Sequence, residues 1–564
     1  MADETVEENP AAADTDTRAM AGAAVMVMAT TLLSAATGVV RGMTFSHEFG
    51  NSWQYNAYVQ AFKVPDLVYF LIAGGAMRTG FIPVFTEYLA QGKREAAWRT
   101  FSSLLYVLLI VAAVIIGLGI ALSGPLAKLV GPNFFPEQQA LCGRLMAAML
   151  PAQVFFLAGG LLMGALNAHR HFLWPQVGPI VYNLVIIAGA LLSLPIARLT
   201  GHANAPDVLS YRMYVQALSV VVGSALGSFA LQLAPLRRVG ARLLAVLDLR
   251  DDGLRRVALL ALPVILTLSL AEINYTITTA ISTYAAKSGA SWLEYANRLV
   301  KLSPRVFGAG VAIVLFPSLA TDCALGRMDE YRRHLAFALR NTLFLSIPAA
   351  VLTAVMGIPI VRLLYERGEF LPADTPAVAN VMLWMSVGTI GLSAQYIILR
   401  GFYALQETRE PVKQGVVVLG TGVLLALGCL LLPKAYQMGA LAATTSVVAL
   451  LYAALLLGAL RRRVGRLDGA AVLRSVLRQS GPNLVLGVVA WAGWRGCASW
   501  LGTSSTLARL VTCLAPVAVG LALFLLLCHL CRVEELGTAV KLVVRRFGGR
   551  RAAGAEPAGE AREP

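Results

Sequence analysis

RRVGARLLAVLDLRDDGLRR, residues 237–256, is the longest polar connection in a chain that is otherwise strongly apolar. Its charges are interleaved with leucines, which suits an amphipathic segment lying along a membrane surface. The chain around it has 564 residues, 57% hydrophobic and only 14% charged, with a mean hydropathy of +0.68. A soluble domain carries about 25% charged residues, so this chain has too little polar surface to cover itself. The apolar excess runs along nearly the whole sequence, which excludes a soluble enzyme with a single anchor. The long apolar runs also exclude an outer-membrane barrel, whose strands would alternate over short segments. The fold class is therefore an all-α integral membrane protein.

A membrane span needs about 20 apolar residues, and the turn and charge clusters divide this sequence into about fourteen of them. Their centres fall near residues 31, 68, 112, 152, 184, 222, 272, 308, 350, 390, 421, 449, 489 and 520. Alternate connections are basic: Lys93, Arg94 and Arg99; Arg170; the 237–256 segment; Arg327, Arg332 and Arg333; Arg409 and Lys413; and Arg461 to Arg478. The intervening ones, such as SHEFGNSWQ (46–54) and GHANAPDVLS (201–210), are poor in bases. Bases in short loops resist translocation, so both termini are expected in the cytoplasm.

The 237–256 connection divides the first twelve spans into two sets of six. NAYVQAFKVP (56–65) and LEYANRLVKLSP (293–304) give a weak internal echo between the sets. Two lobes around a central site are a common transporter plan. The expected organisation is a disordered acidic tail (1–18), an N-lobe (19–236), the amphipathic cytoplasmic linker (237–256), a C-lobe (257–462), two appended helices (463–532) and a basic cytoplasmic tail (533–564). The acidic start lacks the basic region and cleavage site of a signal peptide.

The net charge of +16 raises the question of nucleic acid. Removing the two ends leaves 20 acids and 40 bases, spread among the membrane segments without a basic repeat, so the excess reports orientation and not a polyanion groove. The seven cysteines lack metal or disulfide spacing, and Cys528-x-x-Cys531 sits inside the apolar run LALFLLLCHLC. Phosphate-loop, zinc-protease and nucleophile-elbow motifs are missing from the sequence. The expectation is a transporter, not an enzyme, with no metal or cofactor and a coupling cation or the membrane potential as energy source.

An ionisable side chain within a span costs at least about 2.5–3.5 kcal/mol on insertion scales, so each invites a functional reading. Against this stands the plain alternative that long side chains near helix ends snorkel to the interface. Arg41 closes the first span. Lys63 and Asp66 flank Pro65 in AFKVPDL, placed to pair with each other across the break the proline makes. Arg78 follows the small-residue run IAGGAM. Glu272, in LSLAEINYT, lies far from any loop and reads either as a polar helix contact or as an ion-coupling carboxylate. Arg298, Lys301 and Arg305 are spaced i, i+3, i+7 in LEYANRLVKLSPRVFG, one face of a continuous helix. Guanidinium groups hold phosphate oxygens in a bidentate manner, so a phosphate or pyrophosphate is the natural guest of such a face.

GVVRGMTFSHEFG (38–50), NAYVQAFKVPDL (56–67), GFIPVFTEY (80–88), GALNAHRHFLWPQVGPIVYN (164–183), SWLEYANRLVKLSPRVFGAGVAIVLFPSLA (291–320), LLYERGEF (363–370) and GFYALQETREPVK (401–413), in this order, resemble the MurJ (MviN) lipid II flippase family of the multidrug/oligosaccharidyl-lipid/polysaccharide exporter superfamily. The resemblance runs from about residue 25 to about residue 460. It implies fourteen helices, two six-helix lobes around a central cationic cavity, and two C-terminal helices lining a groove for a lipid tail. It also implies a bacterial cytoplasmic-membrane protein that flips undecaprenyl-pyrophosphate-linked peptidoglycan precursor by alternating access without ATP, with lipid II, membrane lipids and the cell-wall synthesis machinery as partners.

Carried over residue by residue, Arg41 and Arg298 match family arginines, while Asn56 and Asn297 stand where the family has aspartates. Two further family arginines are Ala35 and Tyr69 here, a glutamate is Gly74, and another glutamate is Lys301. The expected substrate-binding set is thus Arg41, Arg298, Lys301, Arg305, Lys63, Asn56 and Asn297, with Glu272 for ion coupling. Readings left open are a flippase for another polyprenyl-linked glycan, a cation-coupled small-molecule exporter and a non-transporting scaffold paralogue.

Overall fold

The computed structural model describes residues 10–72, 80–169 and 171–537, and these are helical with short connections. The helices in order are α1 (Pro10–Phe49), α2 (Trp53–Ala61), α3 (Lys63–Ile72), α4 (Ile82–Ala90), α5 (Arg94–Ala121), α6 (Ser123–Val130), α7 (Pro136–Met149), α8 (Ala152–Ala168), α9 (Leu173–Leu199), α10 (Val208–Gly223) and α11 (Leu231–Arg238). They continue with α12 (Asp252–Ala285), α13 (Gly289–Val300), α14 (Ala309–Ala324), α15 (Met328–Val355), α16 (Gly357–Leu364), α17 (Asp374–Ser386), α18 (Gly388–Ala404), α19 (Arg409–Gly428), α20 (Lys434–Val464), α21 (Gly469–Leu501) and α22 (Thr506–Leu530).

Each of the fourteen centres read from the sequence lies in a helix. Among the described residues, eleven helices are long and apolar enough to cross a membrane, and α17 with α18, bent by 42°, makes a twelfth as one broken span. The other two expected spans correspond to α1 and to the broken run α2–α4. The protein is a multi-pass membrane protein. Its outward side chains within the spans include Ile110, Leu191, Leu424 and Leu484, apolar groups that lipid and not water would cover.

Several boundaries differ from the sequence reading, each for a local reason. Helix α1 already begins at Pro10, so residues 10–18 extend the first helix. A proline in the first turn fits there because the N–H it lacks would have no helical partner. The second span breaks at Phe62, between α2 and α3, since Pro65 cannot donate to the carbonyl of Ala61. The 237–256 connection is helical only at its ends. Residues 239–251 form a strap along α5, where Ser102 accepts from the Leu244 amide at 3.0 Å and Ser103 accepts from the Asp248 amide at 3.2 Å. Arg99 reaches Asp248 at 2.8 Å, and Thr100 donates to Asp251 at 2.8 Å, the residue that caps α12 by accepting from the Leu254 amide.

The chain forms two compact units. The first contains the residues up to Leu299, with Leu364–Val381 and Thr408–Val448; the second contains Val300–Leu363, Met382–Glu407 and the residues from Ala449 onward. These units are not the two sets of six read from the sequence, because α12 and α13 belong with the first. In that unit α1 packs on α9, α9 on α10, and α12 on both α3 and α19. In the second, α15 packs on α18 and α21, and α21 on α22. Its core gathers Leu335, Ile397, Phe402 and Leu456. Val533, past the end of α22, is buried with Phe344, Phe524 and Cys528, so the start of the expected tail is packed and the remainder from 538 lies outside the described residues.

Candidate functional site

Within the first unit, one end of α1 and α2 is sewn to α12 and α13. Tyr295 donates to the Gly50 carbonyl at 2.8 Å, Ser291 donates to the Asn51 side chain at 2.8 Å, and Gln60 donates to the Thr279 carbonyl at 2.7 Å. Gly50 has φ +54°, and a Cβ there would stand 2.1 Å from the Glu369 carbonyl oxygen, so only glycine lets this corner close. Beside it Arg212, on α10, is buried, ion-paired with Glu48 and donating to Ser193 at 3.0 Å.

Inward from this seam lies the charge cluster. Glu294, on α13, is its hub: Oε1 accepts from Arg298 Nε at 3.1 Å, and Oε2 accepts from Lys63 Nζ at 3.3 Å and from the Tyr275 hydroxyl at 3.4 Å. Lys63 is only 3% exposed and lies 4.4 Å from the centre of the Tyr275 ring. The Arg298 guanidinium sits 5.6 Å from the Phe45 ring. Arg41 is close enough to feel the charges of both Arg298 and Glu294.

Two polar atoms in this cluster are buried without a hydrogen-bond partner: Arg41 Nε and Arg298 Nη1. Behind them Tyr55, Tyr295, Tyr365 and Phe370 form a buried aromatic wall, with the Tyr295 and Tyr365 rings 4.8 Å apart. Gly42 lets α1 approach it, since a Cβ there would lie 3.2 Å from the Tyr365 ring.

The sequence-derived set is thus partly assembled. Lys63 and Arg298 come together on Glu294, and Arg41 lies within electrostatic range of Arg298 and Glu294. Lys63 takes Glu294 as its partner where sequence proximity pointed to Asp66. Glu294 sets an acid in direct contact with two of these bases among the described residues. Asn56 is fully buried; its side chain accepts from the Ser291 amide at 3.1 Å and donates to the Ser52 carbonyl at 3.2 Å, which makes it a structural pin. Asn297 is buried, at 8% exposure.

Lys301 and Arg305 fall in the second unit. Within the span Gly289–Ala324, α13 ends at Val300 and a π-helical turn, Pro304–Gly308, follows, so the helical phase shifts between Lys301 and the residues after Arg305. Pro304 cannot donate to the preceding turn, and a π turn inserts a residue into the helical phase. Arg305 is exposed. At the positions of two family arginines, Tyr69 packs edge-on against Phe156, and Ala35 is half-buried. Arg78 and Gly74 lie outside the described residues. Glu294 was not singled out from the sequence, although an acid four residues before Arg298 is the ordinary helical ion-pair spacing.

The family model described as lipid II flippase MurJ matches residues 45–512. A protein named lipid II flippase MurJ from Burkholderia cenocepacia is 29% identical over 395 residues, covering 69% of this chain and 74% of the relative. One named probable lipid II flippase MurJ from Vibrio cholerae is 25% identical, covering 71% and 76%. Among solved structures, a lipid II flippase MurJ in an inward closed conformation superposes with a TM-score of 0.72 at 20% identity, over 90% of this chain and 98% of that one. An inward-facing multidrug transporter of the MATE family gives 0.63 at 13% identity, over 80% and 99%. The two superpositions establish the shared helical fold, and with the family model spanning most of its length the chain belongs to the MurJ family.

Proposed function

We propose that this protein is an ATP-independent flippase that carries lipid II, the undecaprenyl-pyrophosphate-linked peptidoglycan precursor, across the bacterial cytoplasmic membrane by alternating access. The observation that carries this reading is the pair of neighbouring guanidinium groups with buried, unfilled donors, Arg41 Nε and Arg298 Nη1. Two guanidinium groups with buried, unfilled donors suit an anion that accepts from both, and a pyrophosphate has the oxygens to do so. Lys63 adds a third base. Glu272 is the ion-coupling carboxylate in this proposal. The lipid tail runs along α21 and α22, whose outward residues include Leu473, Leu477, Leu484 and Leu514. Both termini lie in the cytoplasm, on the basic side of the loops.

Replacing Arg298 by Ala tests the reading. The variant is expected to be made and inserted normally, to fail to support growth of a flippase-depleted strain, and to flip labelled lipid II in vesicles at least tenfold more slowly. Full growth and full flipping by this variant would sink the assignment.

A further inference from the structure

Lys63, deeply buried, and Arg298 share one carboxylate, Glu294, which reaches one base through each oxygen. Burying charges is costly unless each is paired, so the free protein needs an anion at this point and supplies one from its own chain. Glu294 meets these bases beside the two guanidinium donors that remain unfilled, Arg41 Nε and Arg298 Nη1. An entering phosphate would therefore find its strongest positions already taken by a tethered carboxylate.

We propose that Glu294 is a built-in stand-in for the phosphate of the cargo, holding Lys63 and Arg298 when the site is empty and displaced from them when the cargo's anionic group arrives. The inference rests on the reading of the cargo as a pyrophosphate lipid and deepens it. Displacement frees α3 from α13 at the Lys63–Glu294 contact, so arrival of cargo loosens the seam that Tyr295, Ser291 and Gln60 hold closed nearby. Departure of the anion lets the carboxylate return and close it. A ligand that must evict an occupant binds more weakly by the fraction of time that the occupant is in place, so an occupant present nine-tenths of the time weakens binding about tenfold.

The test uses the full-length protein in lipid nanodiscs with farnesyl pyrophosphate as the probe. Glu294→Gln is expected to bind it about tenfold more tightly than the unaltered protein, and Glu294→Asp, which keeps the charge, within about twofold. A second variant, Glu294→Ser, keeps the test independent of one substitution. Acetate should refill the space it leaves and weaken probe binding there, with no effect on the unaltered protein. Affinity unchanged in both the Gln and Ser variants, or acetate without effect on the Ser variant, overturns the displacement. If the variants bind the probe more tightly while no form of the protein flips lipid II, displacement stands and the cargo assignment falls.

Discussion

Arg212 shows how a single residue holds one end of the first unit. Its guanidinium is buried against Glu48, Ser193 and the Phe49 ring, tying α10 to α1 and α9. Removing one partner of a buried ion pair leaves the other charge uncompensated, at a cost of about 3–5 kcal/mol. Arg212→Met is therefore expected to lower the melting temperature of the purified protein by several degrees, and the double variant with Glu48→Gln to recover part of the loss. Melting unchanged in the single variant would show that the pair is not structural. At this scale the sequence was half legible. Arg41, Lys63 and Arg298 were visible because a charge in an apolar span is conspicuous. The role of Asn56 was not, because the Ser291 amide it accepts from lies 235 residues away.

Among elements, the 237–256 connection was recognisable as polar and long, and its charges fitted a segment outside the membrane. Its conformation was not readable, because it depends on α5, whose Ser102 and Ser103 accept from strap amides that a helix would have paired internally. Each such bond is worth about 1 kcal/mol net. Ser102→Ala with Ser103→Ala is expected to release the strap, seen as faster trypsin cleavage after Arg242 and Arg250 in the folded protein. Equal cleavage rates would mean that the two serines do not hold the strap and that the Arg99–Asp248 and Thr100–Asp251 contacts suffice. The spans themselves were well marked by hydropathy, and all fourteen centres lie in helices. Pro304 and the π-helical turn it opens shift the helical phase ahead of Arg305, which the even spacing of Arg298, Lys301 and Arg305 does not reveal.

For the whole molecule, the alternation of basic and base-poor connections gives an orientation that two cysteines can check. Ser504 lies in the exposed turn between α21 and α22, and Cys531 is exposed just past the end of α22. In a Cys497→Ser background, a membrane-impermeant maleimide should label Ser504→Cys in intact spheroplasts, whereas Cys531 should react only after permeabilisation. The reverse pattern would invert the topology. The compact units were not legible from the sequence. The linker divides the chain by connectivity, but packing assigns α12 and α13 to the unit containing α1–α11, through contacts such as that between Lys63 and Glu294.

That contact also sets a timetable for assembly. Lys63 and Glu294 are 231 residues apart, and at about 5–20 residues per second a ribosome needs roughly ten to fifty seconds to travel between them. For that interval the second span carries a lysine whose partner has not been made. A lone lysine at the centre of a span is disfavoured by about 2.5–3.5 kcal/mol on insertion scales. The early helices must then wait, near the surface or sheltered by the insertion machinery, until α13 arrives with its glutamate.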